Sequence, residues 1–80
     1  MGKYDPLFHY LNSIGEKQIT LSFVEIERIL STKLTNAAYK HDQWWKRDDD
    51  RHVQCKAWRD AGYKVDKVFL GDKVIFIKEL

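Results

Sequence analysis

Residues 51–80 read RHVQCKAWRDAGYKVDKVFLGDKVIFIKEL, and this stretch decides the fold. From Arg51 to Ala61 the apolar residues recur at helical spacing, and the run stops at Gly62, a residue suited to the position just past a helix end. A helix is therefore predicted over 51–61. At 100° per residue, Val53, Ala57 and Ala61, with Trp58 at the edge, form its buried face. His52, Cys55, Lys56 and Arg59 fall on the opposite side. The run Asp48-Asp49-Asp50 before it is a plausible N-cap cluster, because carboxylates favour the positive end of a helix. Residues 63–70 and 73–79 are rich in β-formers and flank Gly71-Asp72, a two-residue hairpin turn signal. That turn places Val68 opposite Ile75 and Phe69 opposite Val74. The alternation falters from Val65 to Val68, which predicts a bulge. Both hairpin faces carry apolar residues, so both are expected to be covered.

Working back towards the N-terminus, the local punctuation is equally clear. Asp5 reads as an N-cap, Pro6 as the first helical residue and Gly15 as the stop. Leu7, Tyr10, Leu11 and Ile14 make one apolar stripe between them, predicting a helix over 6–14. Residues 18–22 (QITLS) read as a short strand. Ser22 and Glu25 have capping-box spacing, so a second helix starts there and ends near Ser31, with Phe23, Ile26 and Leu30 inward. Asn36-Ala-Ala-Tyr39 reads as one helical turn. Residues 42–51, apart from Trp44 and Trp45, are polar and loop-like.

These elements predict an α+β domain: three helices against a small antiparallel sheet built from the short strand and the C-terminal hairpin. The order α-β-α-α-β-β is that of a winged helix, whose third helix reads DNA. The spacing departs from it, since about 20 residues separate Ser31 from Arg51 where a helix-turn-helix uses about 3–4.

The whole composition agrees with one compact domain spanning 1–80. The chain has 80 residues, of which 44% are hydrophobic and 14% aromatic, enough large side chains to build a core in so short a chain. Its single Cys55 cannot form an internal disulfide, which fits a reducing cytoplasm. There is no apolar run of the roughly 18 residues that a membrane span needs, and no apolar signal-peptide core near Met1. The net charge of +2 is mild, but residues 40–64 hold seven Lys/Arg and all three Trp beside five Asp.

That region supplies the candidate site. Arg47, Arg51, Lys56 and Arg59 are read as phosphate ligands, Gln54 and His52 as base readers, and Trp44 or Trp45 as a stacking platform. Two adjacent Trp in extended chain point opposite ways, so one is expected inward and one outward. Trp58 is expected to be structural. His52-x-x-Cys55 has ligand spacing on one helical turn, and His41 with Asp48–Asp50 completes enough donors for zinc. Without a Cys-x-x-Cys pair the expectation is nonetheless no cofactor. No nucleophile–base motif and no Gly-rich phosphate loop is present, so an enzyme is not expected.

Several features also form a joint pattern. They are Tyr4-Asp5-Pro6-Leu7 with Tyr10-Leu11; Thr20, Phe23, Glu25-Ile26-Glu27 and Ile29-Leu30; Leu34 with Ala37 or Ala38; Trp44-Trp45; His52-x-Gln54-x-x-Ala57-Trp58-x-x-Ala61-Gly62; and Val65 with Val68. Nearly the whole chain thus resembles a widespread family of small prokaryotic and phage domains of unknown function. An Asn usually follows Trp-Trp by two positions in that family, where this chain has Arg47, and Ala is common where it has Cys55.

Two functions follow as expectations. The first is a non-enzymatic DNA-binding module that uses the 51–61 helix and the Trp-Trp segment. The second comes from the phage occurrence implied by the resemblance: a protein-binding inhibitor of a host nucleic-acid defence enzyme, such as a CRISPR effector, acting by contact or by interfering with its metal. Exposed Trp and Arg are favoured interface hot spots, so one surface serves either reading.

Overall fold

The computed structural model describes residues 3–46 and 53–79. Arg47, Asp48–Asp50, Arg51 and His52 lie outside the described residues, and with them the predicted N-cap cluster. The first helix, α1, spans Asp5–Ile14 and stops at Gly15, whose φ of 70° is left-handed. Asp5 is not its cap. Tyr4 holds the N-cap position without a side-chain bond, and Asp5 sits in the first turn, where its charge meets the helix dipole.

Strand β1 (Gln18–Ser22) runs directly into α2 (Phe23–Leu30). The capping box forms as read: the Glu25 amide donates to Ser22 Oγ at 3.0 Å, and the Ser22 amide to Glu25 Oε1 at 3.1 Å. The predicted turn is α3 (Asn36–Lys40), capped by Thr35. The polar stretch after it is not all loop, because Gln43–Lys46 makes a further helical turn, α4. Burial of Trp45 supplies the free energy that its local sequence lacks. The last helix is α5 (Val53–Asp60), followed by β2 (Tyr63–Phe69) and β3 (Lys73–Lys78).

The architecture is α+β. Three antiparallel strands lie in the order β1-β3-β2, with the C-terminal hairpin as predicted. The bulge is present, since Val65 pairs with Phe76 and Lys67 with Ile75, leaving Asp66 as the extra residue. The hairpin register differs by one from the expectation. Val68 pairs with Val74 and Phe69 with Lys73, so the loop is Leu70-Gly71-Asp72. The Asp72 amide bonds the Phe69 carbonyl at 2.8 Å, and Gly71 takes φ 77° at the third turn position, which only glycine occupies cheaply.

Antiparallel partners share a face, so the register assigns both sides of the sheet. Ile19, Leu21, Tyr63, Val74 and Phe76 point inward and are buried. Among the described residues the helices cover this face alone. Ile75 and Ile77 lie on the other side and are only half-buried, which corrects the expectation that both hairpin faces are covered. Inside, Leu7 and Leu11 of α1 and Phe23 and Ile26 of α2 complete a single core with Trp45 and Trp58. Among the described residues no helix is long and apolar enough to cross a membrane.

Candidate functional site

The Trp-Trp segment and α5 come together as expected, but their side chains divide differently. Trp45 is 1% exposed and donates its Nε1–H to the Ala38 carbonyl at 2.9 Å. Trp44 is half-buried, edge-on to Trp45 at 4.6 Å and to Tyr4 at 6.0 Å. One Trp is thus inward and one partly outward, but on a helical turn rather than on extended chain. Trp45 is not available to stack on a ligand, and Trp44 is only partly exposed. Trp58 is buried, in agreement with its structural reading.

Helix α5 buries more of its surface than one stripe. Gln54, Cys55, Ala57 and Trp58 are all buried and span about 160° of the helix. The reason is that α5 packs against α1 and β2, and through Gln54 and Trp58 against α4 as well. Cys55, expected on the outer side, is fully buried. Gln54, expected to read bases, is 7% exposed and turns its amide towards the Trp44 carbonyl, 3.5 Å away. Burial removes Cys55 from an open metal site and Gln54 from the surface. His41 is exposed, and no group of three or more His, Cys, Asp or Glu able to hold a metal occurs among the described residues. Lys56 and Arg59 are exposed on the remaining arc.

Among the described residues, two depressions border α5. One, of about 500 Å³, lies between α1 and α5, walled by Tyr4, Phe8 and Ala57, with Asp5, Asp60 and Lys56 around it. Among its described lining residues Asp5 and Asp60 stand against Lys56, with His9 beside them. The other, of about 240 Å³, lies where α4, α5 and β2 meet. Lys46, Arg59 and Lys64 line it, Trp45 and Trp58 form its back wall, and Glu79 is the one carboxylate among its described lining residues. Lys64 was not singled out as a site residue from sequence. It lies on β2, and only the packing of β2 beside α5 brings it to Arg59.

The family model for a domain of unknown function, DUF7662, matches residues 4–80. The chain belongs to this family. DUF7662 thus takes in every described element of the domain from Tyr4 onward, the α4–α5–β2 pocket included. No curated protein and no solved structure matches the chain.

Proposed function

We propose that the domain is a non-enzymatic nucleic-acid-binding module that holds backbone phosphates at the α4–α5–β2 pocket. The observation that carries this reading is the convergence of Lys46, Arg59 and Lys64 from three separate elements on one small pocket. Cations placed this way meet phosphate oxygens without reading bases, because phosphate contacts position a chain and carry no sequence information. With Gln54 buried, binding is governed by charge rather than by sequence.

The test is intrinsic Trp fluorescence during titration with short duplex and single-stranded DNA at about 50 and 200 mM salt. Trp45 and Trp58 back the pocket, so a bound nucleotide changes their emission. Saturable binding that weakens at least about tenfold with salt, and is lost in Lys46→Glu/Arg59→Glu with an unchanged circular dichroism spectrum, supports the reading. The same affinity in that variant overturns it.

A second reading, a protein-binding inhibitor of a host nucleic-acid defence enzyme, draws on the hairpin turn. Leu70 and Val24 are 43% and 56% exposed and flank the Phe23 amide to Asp72 carbonyl bond, which ties the turn to the start of α2. An apolar contact there keeps its affinity at high salt, whereas phosphate binding does not.

A further inference from the structure

The outward face of the sheet carries a second, continuous arrangement of charge. The cross-strand pairs Lys64–Ile77, Lys67–Ile75 and Phe69–Lys73 all point away from the helices. None of these six side chains is fully buried. β1 adds the uncharged Gln18, Thr20 and Ser22 at the matching positions. Three lysines and no carboxylate therefore occupy the paired outward positions, Asp66 being set apart as the bulge residue. Phe69 is 44% exposed, and Lys73 Nζ lies over its ring, 5.3 Å from the centroid, so a base stacking on that face displaces the ammonium towards a phosphate. Lys64 belongs to both surfaces: it lines the α4–α5–β2 pocket and begins the outward row.

We propose that the nucleic acid is single-stranded and runs from the pocket across this sheet face, its phosphates on Lys64, Lys67 and Lys73 and a base stacked on Phe69. The inference rests on the phosphate-binding reading and deepens it. A duplex has already stacked its bases on one another and offers only their edges, so an outward aromatic ring has nothing to stack on. An unpaired strand presents base faces, and an aromatic ring beside a cationic track is how such strands are held without sequence preference. Ile75 and Ile77, half-buried between lysine stems, extend the apolar floor beneath the track. From Lys64 to Phe69 the path is about 16 Å, room for a few nucleotides.

Fluorescence anisotropy of labelled oligo-dT and of a duplex of equal length tests this. Wild type, Phe69→Ala, Lys67→Glu/Lys73→Glu and Lys46→Glu/Arg59→Glu are compared, with circular dichroism to confirm folding. Oligo-dT binds more tightly than the duplex. Phe69→Ala weakens oligo-dT by about tenfold and leaves duplex affinity unchanged. Lys67→Glu/Lys73→Glu lowers the logarithmic salt slope on oligo-dT by about 1.4, at ~0.7 for each single-strand phosphate released. Duplex binding as tight as oligo-dT, sensitive to Lys46→Glu/Arg59→Glu but indifferent to Phe69→Ala, overturns the single-strand inference and leaves the pocket reading standing. Binding of neither polymer overturns both. Phosphatidylserine vesicles that bind more tightly than oligo-dT, with the same loss in Lys67→Glu/Lys73→Glu, also overturn the inference, assigning this face to a lipid surface.

Discussion

Trp45 stacks on Trp58 with ring centroids 5.7 Å apart and planes 23° from parallel. Phe23 lies 5.3 Å from Trp45, and Phe76 5.6 Å from Trp58, both tilted. An aromatic column thus links α2, α4, α5 and β3. It explains how a four-residue helix survives in a chain this small: α4 is held by the ring it delivers, not by its own hydrogen bonds.

Removing either central ring should be costly. Trp58→Ala and Trp45→Ala each lower stability by roughly 3–5 kcal/mol, and Trp45→Ala also leaves the Ala38 carbonyl without its indole partner. Trp44→Ala costs less, because that side chain is only half-buried. Urea unfolding followed by far-ultraviolet circular dichroism ranks the three. Equal losses at all three positions would contradict the column.

Glu27 organises the segment after α2. Its Oε2 accepts from the Leu34 amide at 2.8 Å and from the Tyr39 hydroxyl at 2.8 Å. Glu27→Ala should cost about 1–3 kcal/mol in urea unfolding, since it strands a part-buried amide and a hydroxyl together. Tyr39→Phe should cost less, leaving the Leu34 bond in place.

The same pair sets an alkaline limit. The hydrogen bond to Glu27 raises the Tyr39 pKa above its ordinary 10.0, aided by burial and by the negative charge of Glu27. Burial likewise raises Tyr4, and burial with the nearby Glu16 charge raises Tyr63. A raised folded pKa means that the unfolded chain loses its proton first. The contribution is therefore complete below about pH 10 and is lost as the pH climbs through the folded values. Thermal melts between neutral pH and pH 11 should show this decline, and Tyr39→Phe should make it shallower. A decline of the same slope in Tyr39→Phe would remove Tyr39 from the cause.

Two backbone positions should respond with opposite signs. Ser31 caps α2 in a left-handed conformation with φ 58°, so Ser31→Gly should raise stability by roughly 1 kcal/mol. Gly71 holds φ 77° with open space around its Cα. Gly71→Ala should therefore cost about 1–2 kcal/mol through backbone strain alone. Melting temperatures moving in the same direction would argue against these assignments.

Gln54 separates a structural role from a recognition role. It is buried, and among the described residues no buried side-chain nitrogen or oxygen lacks a partner. Gln54→Ala should lower the urea midpoint while leaving the relative affinities for different DNA sequences unchanged. A changed base preference at unaltered stability would return Gln54 to the surface.

What the sequence determined by itself was local. Gly15 ends α1, Ser22 and Glu25 cap α2, and the broken alternation after Val65 marks the Asp66 bulge, each through bonds or torsions spanning a few residues. The family pattern was legible for the same reason, since it lies in residue spacing. Burial followed only from tertiary packing. Cys55 and Gln54 are inside because α5 packs against several elements rather than one, and no single-helix periodicity contains its further neighbours. The hairpin register moved by one because Phe69 bonds across a three-residue loop around Gly71, where Gly71-Asp72 alone suggested two. Lys64 joined Lys46 and Arg59 because β2 lies beside α5, a juxtaposition across sequence distance that only the assembled sheet creates.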